Sequence, residues 1–289
     1  MTERFDAAWL TLREPFDHAA RSVVLAQRLA ALLPKRPCVV DLGAGTGSLF
    51  RFLAPIIARG QDWVLLDADA ALLDEAFGRT AAWARQRRYG ATAEGDTLSV
   101  ITPQGRWRMQ AVQCDLTAVQ ESMASPLLGA ADAVVCSALL DLVSAAWLDR
   151  LIATLTVPFF AGLIADGRDS WRPHHPYDAA VRTAFHRDMR RDKGLGHALG
   201  IDAVPALMAS GRMAASAPSD WHVPRTGLSM QRALIEGIAG VVRSDAGAAW
   251  REARLRQALQ GRLAITIGHR DILALPRGGR RHVVGRDRR

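Results

Sequence analysis

Two rhythms of apolar residues alternate along this chain. Short runs rich in valine, leucine and isoleucine are separated by longer stretches in which apolar positions recur every three or four residues. The first rhythm suits strands buried on both faces, the second helices that bury one face. Strands are predicted over 38–42, 63–66, 107–114, 131–136, 159–165, 212–218 and 263–267. Residues 97–102 add a hairpin partner to the third strand across Pro103-Gln104-Gly105. Helices are predicted over 70–88, 147–157, 229–242 and 246–259. Ahead of the first strand the pattern predicts two more helices. Phe5, Ala8, Trp9 and Leu12 line one; Val24, Leu25, Leu29, Leu32 and Leu33 line the other. Pro15 is expected to break them apart and Asp17 to cap the second. Strands alternating with helices predict an α/β fold with a mostly parallel sheet of seven strands and helices on both faces.

One stretch carries chemistry. The strand Cys38–Leu42 runs into Gly43-Ala44-Gly45-Thr46-Gly47, after which a helical pattern begins. Glycine allows the sharp turn and a close approach to a ligand. The following helix points free N–H groups into the same turn. The dinucleotide fingerprint places its third glycine three residues after the second, whereas here the spacing is G-x-G-x-G with Asp41 just ahead, which disfavours a nicotinamide dehydrogenase. A second carboxylate, Asp67, stands at the end of the next strand, where it can accept hydrogen bonds from both hydroxyls of a ribose.

The string Asp41-Leu42-Gly43-Ala44-Gly45-Thr46-Gly47 together with Asp67 resembles motif I and its partner in the class I S-adenosylmethionine-dependent methyltransferases. The resemblance covers roughly residues 31–275. It implies a Rossmann-like sheet with an antiparallel last strand and S-adenosylmethionine as cofactor. It implies a cofactor site built from Asp41, Gly43, Ala44, Gly45, Thr46, Gly47, Asp67 and Ala68, with Asp115 and Leu116 beside the adenine and Ser137 at the exit of the fourth strand. On the residues alone, Asp115 is equally a helix cap. Arg13 and Arg21 are candidates for the cofactor's carboxylate, since guanidinium matches carboxylate bidentately.

The fourth-strand exit reads Cys136-Ser137-Ala138-Leu139-Leu140. It lacks the Asn/Asp-Pro-Pro-aromatic motif of amino-group DNA methylases and the Pro-Cys of cytosine methylases, so Cys136 reads as a core thiol. A small-molecule acceptor is expected. After the fifth strand, residues 170–209 read as a helical lid over the carboxyl ends of the sheet, where ligands bind. Its Arg172, Arg182, Arg187, Arg190, Arg191 and Lys193 suggest an anionic or carboxylate-bearing acceptor. Asp166, His174 and His175 are the candidate catalytic bases, a histidine being suited to proton transfer near neutrality.

Composition changes this picture little. The formal net charge is +8, yet the stretch 277–289 holds six arginines against Asp287 and supplies +5 of it, so the charge does not argue for nucleic acid. Cys38, Cys114 and Cys136 lie in apolar runs without metal-ligand spacing, as suits buried thiols in the cytoplasm. No run spans a membrane. The expected organisation is a helical cap over 1–34, a methyltransferase domain over 35–275 with the lid at 170–209, and a basic disordered tail over 276–289. An RNA or protein methyltransferase and a catalytically idle cofactor-binding scaffold are the alternatives. The oligomeric state stays open.

Overall fold

The computed structural model describes residues 6–118, 124–194 and 196–276. Among them ten strands form one sheet: β1 Cys38–Leu42, β2 Gln61–Asp67, β3 Gly90–Glu94, β4 Thr97–Thr102, β5 Gly105–Gln113, β6 Ala133–Ser137, β7 Phe159–Arg172, β8 Met213–Pro218, β9 Trp221–Val223 and β10 Ala264–Ala274. Their order is β3-β4-β5-β2-β1-β6-β7-β10-β8, with β9 paired to β10 off this path. β5, β2, β1, β6 and β7 are parallel, while β10 runs antiparallel to both β7 and β8. The sheet therefore has the expected seven strands, with a reversed last one. Three more join it: the hairpin β3–β4 on the outer edge of β5, and β9. The polar, exposed β3 carries no apolar alternation, so the sequence hides it.

The helices are α1 Ala7–Ala20, α2 Val23–Leu32, α3 Ser48–Ile57, α4 Ala70–Gln86, α5 Ala124–Ala130, α6 Ala145–Thr154, α7 Asp178–Met189, α8 Ala203–Ala209, α9 Leu228–Val241 and α10 Asp245–Leu259. Both faces of the sheet are covered. Leu29, Phe50, Leu53 and Ala76 pack on one side with Val39 and Leu65. Trp147, Leu151, Val204 and Leu207 pack on the other with Val40 and Leu42. Burial on both faces is why the central strands read as unbroken apolar runs. A third core, with Trp171, Trp221, Trp250, Val181 and Ile235, holds α7, α9, α10 and the apolar side of α1 together.

Four expectations shift. Pro15 does not break the first helix: α1 runs through it, and the chain turns at Arg21-Ser22, where the Ser22 hydroxyl accepts from Leu25 N and caps α2. Asp17 stays within α1 and pairs with Arg13 instead. The last strand is longer than its apolar alternation. Register shifts between Ile267 and His269 and between Arg270 and Ile272 break the period, but pairing continues to Ala274. β7 likewise runs on through Asp166-Gly167-Arg168-Asp169 to Arg172, so β7 and β10 form one long ribbon that carries the third core. At the bulge a Cβ on Gly268 would lie 2.6 Å from the Arg168 Cβ, which only glycine avoids. Finally, the stretch 170–209 is not one lid. Residues 170–172 belong to β7, α7 packs on α9 and α10, and α8 buries Ala203, Val204 and Leu207 in the main core. Of the basic tail, residues 277–289 lie outside the described residues.

Candidate active site

At the carboxyl ends of β1, β2, β5 and β6 lies a cavity of about 260 Å³. Gly43, Gly45 and Gly47 all adopt left-handed backbone, with φ of 65°, 52° and 77°, which explains the alternate glycines. The turn is pinned from β2. Leu66 O accepts from Ala44 N at 3.0 Å, and Asp67 Oδ2 accepts from Gly45 N at 2.7 Å. Asp67 Oδ1 accepts from Asp69 N, so this carboxylate fixes both the glycine turn and the start of α4. Of the expected cofactor residues, Asp41, Gly43, Ala44, Gly45, Thr46, Asp67, Ala68, Asp115, Leu116 and Ser137 line this cavity together. Gly47 sits behind the lining, packed toward Ala76 and Arg51. Asp115 Oδ1 accepts from Thr117 N in a cap-like turn, and its side chain also faces the cavity.

Helix α1 closes the cavity from above. Arg13, Asp17 and Arg21, spaced four apart, present one polar face to it. Arg21 is buried; it donates to the Ser48 hydroxyl at 3.0 Å and the Ser137 hydroxyl at 2.9 Å, and lies 3.8 Å from Asp17. Asp41 is also buried, and neither carboxylate oxygen has a hydrogen-bond partner among the described residues. Burial pushes its carboxyl well above the usual range, Arg21 pulls it back and Asp67 adds to the rise. An unpartnered buried carboxylate lacks donors, and it faces the cavity.

A second, larger chamber of about 500 Å³ adjoins the first, and Arg13, Ala138, Leu142 and Lys193 line both. Its walls come from α1, α7, α9 and the β7–β10 ribbon. Trp9, Trp171, Trp221, Trp250 and Phe185 give it an aromatic interior. His269 also lines it, 7% exposed, with its ring centroid 4.7 Å from that of Trp221 and no partner for Nδ1. The sequence offered no pointer to His269, because the bulge at Gly268 hides the strand around it. Ala138 and Leu163, both lining the chamber, hold left-handed backbone that is uncommon outside glycine and often marks functional sites.

Burial and the neighbouring Arg13 lower the His269 pKa from 6.5 to about 4. As pH falls below 6.5 the unfolded chain takes up a proton that the folded one refuses until about pH 4. Stability from this residue is therefore intact above pH 6.5 and lost progressively between 6.5 and 4, by up to about 3 kcal/mol. Urea unfolding at pH 7.5 and 4.5 measures it. The loss should shrink by that share in His269→Phe; an unchanged loss contradicts the buried neutral ring.

The candidate bases fall elsewhere. Asp166 lies within the β7–β10 ribbon, bound by Arg168 at Nε (2.7 Å) and through its backbone N, because the strand it was expected to end continues past it. His174 and His175 lie in the turn between β7 and α7 and line neither cavity; a shallower pocket takes His174, and the His175 Nδ1 accepts from Tyr177 N. Arg182, Arg190 and Arg191 of the lid cations are matched by carboxylates. Arg182 pairs with Asp169 at 2.9 Å, Arg190 with Asp202 at 2.6 Å and Arg191 with Asp188 at 3.1 Å. Cys136 is buried in the sheet and burial pushes its thiol well up, which suits the core reading.

No protein-family profile matches the chain, and no curated protein matches it. Solved structures do resemble it. A SAM-dependent methyltransferase from Thiobacillus denitrificans, in complex with S-adenosyl-L-homocysteine, is 15% identical, with 95% of this chain and 100% of the other covered and a TM-score of 0.46. One from Geobacter sulfurreducens, with the same ligand, is 14% identical over 88% and 90%, at 0.44. Geranyl diphosphate C-methyltransferase from Streptomyces coelicolor A3(2) is 13% identical over 88% and 80%, at 0.40. Likenesses at this distance carry no argument. The strand order, with β10 reversed between β7 and β8, and the pinned glycine turn at the crossover point between β2, β1 and β6, do. The fold is a Rossmann-like α/β sheet.

Proposed function

We propose that this chain transfers a methyl group from S-adenosylmethionine to a small-molecule acceptor. The observation that carries this reading is the buried, donor-less Asp41 carboxylate beside Arg21, in a cavity that Asp67 and Asp115 also line. The cofactor has an ammonium and a carboxylate at one end and a ribose and adenine at the other, and the residues present can serve each of these groups. Asp41 would hold the ammonium and Arg21 the carboxylate. Asp67, already fixed by Gly45 N and Asp69 N, would accept from the ribose hydroxyls. Asp115 would face the adenine.

When bound, the cofactor supplies an electrophilic methyl group on a sulfonium. The work left to the chain is binding, alignment and exclusion of water, which supplies much of the rate in a one-step displacement. Helix α1 does the excluding, and the shared wall of Arg13, Ala138, Leu142 and Lys193 sets where the acceptor meets the methyl group. The carboxylate partners of Arg182, Arg190 and Arg191 weaken the case for an anionic acceptor held by the lid as a whole, Lys193 being the lid cation that lines both cavities. No described helix is long and apolar enough to cross a membrane; a cytoplasmic enzyme is part of this proposal.

Calorimetric titration with S-adenosylmethionine, and separately with NAD and NADP, tests the cofactor. Micromolar binding of the first alone is expected; binding of a nicotinamide cofactor instead overturns the reading. The same titration carries a proton signature. Burial raises the Asp41 pKa in the free protein, and an arriving ammonium lowers it again. Binding should therefore be accompanied by proton release, and affinity should rise with pH. Titrations in buffers of different ionisation enthalpy measure the release. In Asp41→Asn it should vanish and affinity should fall by ~1–3 kcal/mol. Equal proton release by the variant removes Asp41 from the ammonium site.

A further inference from the structure

The larger chamber has a chemistry of its own, and the following rests on the methyl-transfer reading. Arg13 stands where the two cavities meet. Asp17 takes its Nε, at 3.2 and 3.1 Å to the two carboxylate oxygens. Among the described residues its two terminal nitrogens make no hydrogen bond, and the guanidinium lies 4.9 Å from the centre of the Trp221 ring. His269 rests on the same tryptophan, at 4.7 Å, with an unpartnered Nδ1. Trp221 is itself held, donating from Nε1 to Asp17 Oδ1 at 3.0 Å. A donor with free N–H groups and a ring with a free nitrogen thus share one aromatic platform. Both line the chamber, and Arg13 also borders the cofactor cavity. Flat tryptophan walls select flat guests.

We propose that the chamber takes a planar aromatic hydroxy compound, with Arg13 and His269 flanking its hydroxyl oxygen, the atom that is methylated. His269 accepts from the hydroxyl while it is protonated. Arg13 donates to the oxygen once the proton has left to solvent, and so favours the aryloxide. The aryloxide's electron pair then forms the new O–C bond as the C–S bond of S-adenosylmethionine breaks and its pair returns to sulfur.

Lys193, His186 and Asp141 also line the chamber, Lys193 on its border with the cofactor cavity, and the carboxylates nearest His269 are bound. Asp17 is bound to Arg13 and Trp221. Asp166 and Asp220, which face His269 from the ribbon and from the turn before β9, are both bound to Arg168. Asp169 is bound to Arg182. His269 keeps its neutral form above pH 6, with a pKa of about 4.

The test uses the whole protein without cofactor and the fluorescent probe 7-hydroxycoumarin, whose hydroxyl and aryloxide forms differ in excitation. The bound probe should titrate about one pH unit below the free probe, a tenfold preference for the aryloxide. Arg13→Gln should remove that downward offset; Arg13→Lys is the second variant if the first does not fold. His269→Phe should weaken the hydroxyl form about tenfold at pH 6 and leave 7-methoxycoumarin unaffected. Absence of probe binding, titration of bound probe at the free value, or an offset that survives in a folded Arg13→Gln overturns the proposal. If the probe behaves as expected but the protein does not bind S-adenosylmethionine, it is the methyl-transfer reading that fails.

Discussion

Gly45→Val should remove S-adenosylmethionine binding, lowering affinity by at least a hundredfold, or about 2.7 kcal/mol. A Cβ built on Gly45 meets only Leu10 Cδ1, at 3.4 Å, so a side chain there projects into the cavity between the glycine turn and α1. The residue's φ of 52° also disfavours a β-branched side chain. That strain costs about 1–3 kcal/mol of stability, so thermal unfolding accompanies the binding measurement. A folded variant that binds the cofactor normally would place the ligand outside this turn.

The second large effect concerns the walls of the chamber. Asp178→Ala should destabilise the protein by about 3–5 kcal/mol, the usual result of stranding a buried charge. Arg254 is fully buried, with its guanidinium 5.6 and 5.8 Å from the Trp171 and Trp250 ring centres. It donates to Asp178 Oδ1, to Pro173 O and to Gln257 Oε1. Asp178 also accepts from Trp250 Nε1 at 2.8 Å and from His175 N at 2.9 Å. One carboxylate therefore ties α7 to α10 and to the chain leaving β7. Losing it should loosen the aromatic wall, so 7-hydroxycoumarin binding should fall well before cofactor binding does. Denaturant unfolding with both titrations separates the two, and a change below 1 kcal/mol would mean that Arg254 finds another partner.

The parts of the molecule that follow local rules were legible in the sequence. The buried central strands read as apolar runs because both faces are covered, and the glycine turn with Asp41 and Asp67 stood out because few sequences need φ above zero at three alternate positions. Arg13 and Arg21 were visible as candidates only. That both line the cavity depends on α1 running straight through Pro15, which proline's usual effect argues against. What stayed hidden lies on the β7–β10 ribbon. Its bulges at Gly268 and Arg270-Asp271 break the alternation, and Asp166-Gly167 imitates a strand exit. The consequence was specific. Asp166 was read as a free carboxylate at a strand tip, whereas Arg168 holds it, and His269 and Trp221 gave no signal at all. Asp271, beyond the predicted strand 263–267, is buried in β10 and accepts from Ser22 N at 2.7 Å and Leu163 N at 2.8 Å. It thereby seats the end of α1 against the sheet. Long-range pairing of this kind leaves no periodic trace.

The most direct measurement is a crystal structure of the protein with S-adenosylhomocysteine. The account predicts the amino group on Asp41, the carboxylate toward Arg21, the ribose hydroxyls on Asp67, the adenine beside Asp115 and Leu116, and the sulfur facing the chamber of Arg13 and His269. A ligand seated away from the glycine turn, or with its amino-acid end turned from Asp41, would contradict it.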